Sequence, residues 1–166
     1  MVLLSGLVLV ATGFTLPGAM PTETPARAAV SMNFFAGLQQ GLAKAMAGNY
    51  DEAAVKANLE RQIKMKPAIL YGTTTCPFCA KAQEEITSMG AILSVYAFDE
   101  EEEGPAMKAE LMKITGQSSV PQVFVGGEFI GGCNDGGIGG VVPLKGSGKL
   151  EEKLIKAGAL VPGARI

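Results

Sequence analysis

From residue 51 onward, the apolar positions switch repeatedly between helix spacing and strand spacing. Val55, Leu59 and Ile63 recur every four residues, which places them on one helical stripe. Asp51 supplies the side-chain oxygen that an N-terminus needs, and Pro67 ends the segment. The apolar run 68–71 leads into Gly72 and three threonines, the pattern of a buried strand and its exit loop. Pro77 suits the first turn of a helix, which is expected to reach Ser88 and stop at Gly90. Residues 91–98 are expected to form a second strand. Its alternation puts Ile92, Ser94, Tyr96 and Phe98 on one face and Leu93, Val95 and Ala97 on the other. A helix follows from Pro105 to about Ile114, closed by Gly116. Residues 120–125 form a third strand, Gly126 and Gly127 a hairpin turn, and 128–130 its partner. A final helix is expected over 148–157.

The order is helix, strand, helix, strand, helix, strand, strand, helix. Helical crossovers make the first strands parallel, and the hairpin adds an antiparallel pair. The expected architecture is α/β with a thioredoxin-like fold: a central four-stranded mixed β-sheet flanked by α-helices.

The first fifty residues follow another logic. Residues 2–14 are uncharged and mostly apolar, and the first ionisable side chain after them is Glu23. As a helix they rise about 20 Å, short of the roughly 20 residues a membrane span requires. They match the apolar region of a signal peptide, and Ala26-Arg27-Ala28 offers a small-x-small cleavage pattern. The stretch 11–32 is rich in Ala, Thr and Pro, as organelle transit segments are. Residues 1–32 are therefore expected to be a removable targeting presequence, with the plastid the first destination, mitochondrion or cytosol next, and secretory entry still open. Residues 33–50 place Phe34, Leu38, Leu42 and Met46 four apart, as a linker or amphipathic helix would. Residues 51–166 form the domain.

Composition narrows the chemistry. The 166 residues allow one compact domain plus an extension. A net charge of -2 gives no basic field for a phosphate backbone, so nucleic acid is not an expected partner. The chain has no His, which removes triad catalysis, imidazole ligands and histidine switching together. Three Cys cannot all pair within one chain, so a working thiol fits better than a disulfide staple.

Two of those thiols stand at Cys76-Pro77-Phe78-Cys79, between a strand and a helix. At a helix N-terminus, free N–H groups and the positive dipole end stabilise a thiolate, which makes Cys76 the nucleophile. Cys79, about one turn further on, is placed to attack a mixed disulfide formed on Cys76. Zinc is disfavoured, because Cys133 is the one remaining sulfur donor and there is no imidazole. The acidic run 99–103 precedes a helix and complements its dipole, so it is read as a solvated helix start.

Three segments point to one family. Tyr71-Gly72-Thr73-Thr74-Thr75-Cys76-Pro77-Phe78-Cys79, then Thr115-Gly116-Gln117-Ser118-Ser119-Val120-Pro121-Gln122-Val123-Phe124-Val125, then Gly131-Gly132-Cys133-Asn134-Asp135 closely resemble a dithiol, class I glutaredoxin across residues 52–160. The resemblance implies a glutathione-dependent oxidoreductase that reduces protein disulfides and glutathione mixed disulfides. Glutathione is then the reductant co-substrate, the other partners are disulfide-bonded or glutathionylated proteins, and the enzyme is a monomer with no membrane span. Cys76 would take the glutathionyl group and Cys79 would resolve protein disulfides. Val120, ahead of a cis Pro121, would pair its backbone with the cysteinyl part of glutathione. Gly132, Cys133 and Asn134 would receive the γ-glutamyl end by backbone, and Asp135 by its carboxylate. Gln117 would lie near the glycine carboxylate, with Thr73 and Phe78 also at the glutathione site.

The chain departs from the family in two places. Thr73 stands where many members carry Lys, and residues 136–146 are longer than the usual link, which is expected to replace a helical turn with a flexible loop. Cys133 is read as a small buried hydrophobe in preference to a third redox thiol. Two other functions compete: a [2Fe-2S] carrier in which two chains share a cluster through Cys76 and glutathione, against which Pro77 counts, and a thioredoxin-like reductase indifferent to glutathione, against which the lack of Trp and the Pro-Phe pair count.

Overall fold

The structure is a computed structural model that describes residues 48–135 and 139–162. The expected presequence over 1–32 lies outside the described residues, as does the expected linker helix up to residue 47. The described elements are α1 (Glu52–Met65), β1 (Ala68–Gly72), α2 (Pro77–Thr87), β2 (Ser94–Ala97), α3 (Gly104–Thr115), β3 (Gln122–Val125), β4 (Glu128–Gly131), α4 (Val141–Gly146) and α5 (Lys149–Lys156). No helix among the described residues is long and apolar enough to cross a membrane.

The four strands form one mixed sheet in the order β2-β1-β3-β4. β1 runs parallel to β2 and antiparallel to β3, and β3 runs antiparallel to β4. β1 is central and buried along its whole length, which is why 68–71 reads as a continuous apolar run. Its side chains alternate between two cores. Ala68 and Leu70 pack with Ala82, Ile86, Leu150 and Leu154 beneath α2 and α5. Ile69 and Tyr71 pack with Leu59, Ile63, Met107 and Leu111 beneath α1 and α3.

Local chemistry sets the element ends. The Asp51 carboxylate accepts from the Ala53 and Ala54 N–H groups, both at 3.0 Å, and starts α1. Gly116 at φ 74° closes α3 in the left-handed conformation that costs glycine least. The two-residue hairpin turn needs positive φ twice, and Gly126 and Gly127 supply 59° and 83°.

Two expectations are corrected. The second strand occupies 94–97, not 91–98, and pairs on one side alone. The Ile92 N–H goes instead to the Ala159 carbonyl at 2.7 Å, and its side chain, like that of Val95, is exposed. The expected flexible link over 136–146 contains α4. Its first N–H groups, on Val141 and Val142, donate to the Gly132 and Cys133 carbonyls, both at 2.9 Å. Pro143 falls within the first turn, where an N–H has no intrahelical partner to lose. Residues 136–138 lie outside the described residues. Lys145 secures α4 to α2, donating to the Glu85 carboxylate at 2.7 Å, the Glu85 carbonyl at 3.1 Å and Ser88 Oγ at 3.0 Å.

Candidate active site

The end of β1, the start of α2, the entry to β3 and the exit of β4 converge on the Cys76-Pro77-Phe78-Cys79 segment. Cys76 is the N-cap of α2, with extended backbone and Pro77 next to it inside the helix. Its carbonyl accepts from the Cys79 N–H at 3.1 Å and the Ala80 N–H at 3.2 Å, which fixes the thiol at the mouth of the helix. The Cys76 thiol is half-buried and points to the Val120 carbonyl at 3.9 Å, a loose sulfur contact. Phe78 projects into solvent at 60% exposure.

Cys79 lies one turn inside α2, and its environment is different. It is buried, and burial is the main reason its thiol is pushed up to about 12, against the downward pull of the Thr73 backbone N–H. Gly72 makes this position possible, since a β-carbon on residue 72 would stand 2.8 Å from the Cys79 sulfur. The pair is therefore asymmetric: one sulfur is accessible and the other is kept protonated beneath it.

The neighbouring wall begins at Val120, joined to Pro121 by a cis peptide bond. A β-carbon on Gly132 would meet the Pro121 carbonyl at 2.8 Å and both Asp135 carboxylate oxygens, so glycine alone fits there. The Gly132 N–H donates to the Asp135 carboxylate, which folds 131–135 into a compact turn against the Val120-Pro121 segment. Asn134 is exposed and Asp135 half-buried on this turn. Cys133 is buried there, its thiol pushed up mainly by that burial. Backbone groups of the Val120-Pro121 segment, the Asp135 carboxylate and the Cys76 sulfur thus stand on neighbouring walls. Among the described residues, no cluster of His, Cys, Asp or Glu is arranged to hold a metal.

Thr73 belongs to the same end of the sheet, and its carbonyl accepts the Cys76 N–H at 3.3 Å. Gln117 is engaged locally: its amide donates to Ser119 Oγ at 3.0 Å and to the Ser119 carbonyl at 3.5 Å. Neither of these hydrogen bonds reaches Cys76.

Two contributors escape the sequence reading. Gln122 is fully buried, donating to the Gln117 carbonyl at 2.7 Å and the Ser119 carbonyl at 3.3 Å, and accepting from Thr115 Oγ1 at 2.8 Å. It ties down the loop that delivers Val120. Its signal is a lone polar residue inside the apolar run 120–125, of which the strand itself occupies Gln122–Val125. The second is Asp99, whose carboxylate accepts from the Thr74 N–H and hydroxyl. It lies in the acidic run expected to be solvated helix start, and that expectation holds for its exposure but misses its bonding.

Comparison with known proteins agrees with this geometry. The family model described as Glutaredoxin matches residues 68–130. The chain is 32% identical over 109 residues to glutaredoxin-C6 of Oryza sativa subsp. japonica, covering 66% of this chain and 93% of that one. It is also 32% identical over 98 residues to "Glutaredoxin-C4, chloroplastic" of the same plant, covering 59% and 70%. Among solved structures, a buckwheat glutaredoxin-glutathione complex superposes with TM-score 0.61 at 28% identity, over 66% of this chain and 96% of that one. Reduced glutaredoxin C1 from Populus tremula x tremuloides superposes with TM-score 0.62 at 28% identity, over 69% and 95%.

Proposed function

Because the chain belongs to the glutaredoxin family of glutathione-dependent thiol-disulfide oxidoreductases, we propose that it works as the dithiol, Cys-Pro-Phe-Cys type of that enzyme. The observation that supports this reading is the asymmetric pair, with Cys76 at the N-cap of α2 beside the Val120 carbonyl and Cys79 buried one turn inside.

On a glutathionylated protein, the Cys76 thiolate attacks the glutathione sulfur. The protein thiolate leaves and takes up a proton, and a Cys76-glutathione disulfide remains. A second glutathione thiolate attacks the glutathione sulfur of that disulfide, releasing glutathione disulfide and Cys76. On a protein disulfide, Cys76 forms the mixed disulfide first. Cys79 then loses its proton and attacks the Cys76 sulfur, closing the internal disulfide and expelling the second substrate thiolate.

Glutathione lies, in this reading, along the cradle beside Cys76. The Val120 backbone pairs with its cysteinyl part, and the 132–135 turn takes the γ-glutamyl end through Gly132, Cys133, Asn134 and the Asp135 carboxylate. Gln117 turns from Ser119 toward the glycine carboxylate, and Thr73 and Phe78 flank the sulfur. The enzyme acts as a monomer on disulfide-bonded or glutathionylated proteins. It works in a compartment supplied with reduced glutathione, the plastid first, a reading favoured by the Ala, Thr and Pro-rich stretch 11–32 and by the chloroplastic relative. A fluorescent fusion to residues 1–50 tests that destination, and fluorescence in the secretory pathway rejects it.

The deciding assay follows reduction of a glutathione mixed disulfide, coupled to glutathione reductase and NADPH, for the parent, Cys76→Ser and Cys79→Ser. Activity that survives Cys79→Ser and vanishes with Cys76→Ser is the expected result. An inactive parent rejects the reading.

A further inference from the structure

Asp99 sits where the parallel ladder would place its next contact. Gly72 pairs with Ala97, and the Phe98 N–H donates to the Gly72 carbonyl at 2.9 Å. Two residues beyond that pair on each strand stand Thr74 and Asp99. Here the contact passes from backbone to side chain: the carboxylate accepts from the Thr74 N–H at 3.0 Å to each oxygen and from its hydroxyl at 2.5 Å. These bonds hold the Asp99 carboxyl below its usual range.

The loop so held is short and thinly packed. Thr74 and Thr75 are exposed, and a cavity of about 160 Å³, lined by Thr73, Thr74, Gln83 and the Cys79 sulfur's residue, lies alongside it. An untethered loop has room to move there. Cys79 adjoins that loop: its sulfur lies 2.8 Å from where a β-carbon on Gly72 would stand, and Cys79, Thr73 and Thr74 line the same cavity. Cys76 is bonded to the loop as well, its N–H donating to the Thr73 carbonyl at 3.3 Å, but it has further anchors in the helix amides and the Val120 carbonyl.

We propose that Asp99 is the positioning residue for the resolving thiol: by clamping Thr74 it fixes Thr73 against Cys79 and so supports the dithiol step selectively. This rests on the dithiol reading above. In that step the Cys76–substrate disulfide bond breaks, the Cys76–Cys79 bond forms, the Cys79 proton passes to solvent, and the substrate thiolate leaves with the bonding electron pair and is protonated. Attack requires the Cys79 sulfur in line with the bond it breaks, and small displacements of a reacting atom reduce rate steeply.

The test uses the full chain as parent, Asp99→Ala, Asp99→Asn, Thr74→Val and Cys79→Ser in two assays: reduction of insulin disulfides and reduction of a glutathione mixed disulfide. Asp99→Ala is expected to lose fivefold or more in the insulin assay and less than twofold in the other. Asp99→Asn keeps an acceptor oxygen for the Thr74 N–H and is expected to restore most of that ratio. Thr74→Val deletes one donor, is expected to shift the ratio in the same direction, and carries the test if Asp99→Ala does not fold. An unchanged ratio in Asp99→Ala, or Asp99→Asn as impaired as Asp99→Ala, overturns the proposal while the dithiol reading stands. A parent whose insulin activity is unaffected by Cys79→Ser overturns both.

Discussion

Gly72 and Cys79 share one space: the position a side chain would take on residue 72 is 2.8 Å from the Cys79 sulfur. The strand end and the helix turn are therefore mutually fitted, and the Cys79 thiol owes its place under Cys76 to a missing methyl group. Gly72→Ala is expected to push the sulfur aside, at the roughly 1–3 kcal/mol typical of overpacking. Thermal unfolding is then expected to fall by several degrees, and insulin reduction to fall further than mixed-disulfide reduction. An unchanged melting temperature refutes the fit.

Gln122 holds the opposite wall. Replacing it with Leu takes the side-chain donor from the Gln117 carbonyl and one partner each from Thr115 Oγ1 and the Ser119 carbonyl. A buried polar group left without a partner costs about 1–3 kcal/mol. Gln122→Leu is expected to lower the urea midpoint accordingly and to raise KM for glutathione, because the loop delivering Val120 loosens. Equal stability, checked by urea titration, counts against this role.

Much of this was legible in the sequence. The four-residue spacing of Val55, Leu59 and Ile63 named three residues that are all buried, and Gly116, Gly126 and Gly127 marked turns that require their positive φ. What stayed hidden depends on neighbours distant in sequence. Alternation cannot say where a ladder stops, so β2 was drawn too long; its limit is set by the Ala159 carbonyl taking the Ile92 N–H. A glycine-rich stretch gave no helical period for α4, whose first N–H groups are satisfied by Gly132 and Cys133. Asp99 looked like its acidic neighbours, and the register of β1 against β2 alone distinguishes it.

The Lys145–Glu85 pair links α4 to α2 and gives a pH signature. The Lys145 ammonium holds the Glu85 carboxyl below its ordinary value of 4.5. A carboxylate depressed in the folded state contributes stability above its unfolded value, and that contribution is lost as pH falls through the folded value. For a pair this exposed the contribution is about 0–1 kcal/mol. Lys145→Gln is therefore expected to lower the urea midpoint slightly at pH 7, and the gap to close as pH drops below the ordinary carboxyl value of 4.5. A gap that stays constant with acidification argues that Lys145 acts through its carbonyl and Ser88 bonds instead.

The asymmetry of the thiols predicts their alkylation. At pH 8 a thiol held at about 12 is ionised in roughly one molecule in ten thousand, and the thiolate is the reacting form. Burial blocks access as well, for Cys79 at 5% exposure and Cys133 at 4%. Iodoacetamide added to the reduced chain at pH 8 is expected to modify Cys76 first, with Cys79 and Cys133 at least tenfold slower by peptide mass spectrometry. In urea all three rates should converge, because unfolding removes the burial that separates them. The raised Cys79 value also has a stability consequence: its contribution is complete below about pH 8.5 and is lost as pH rises toward 12. The parent is thus expected to lose stability faster between pH 9 and 11 than Cys79→Ala, which has no thiol to ionise. Equal alkylation of Cys76 and Cys79 in the native chain, or parallel alkaline profiles, refutes a buried, protonated Cys79.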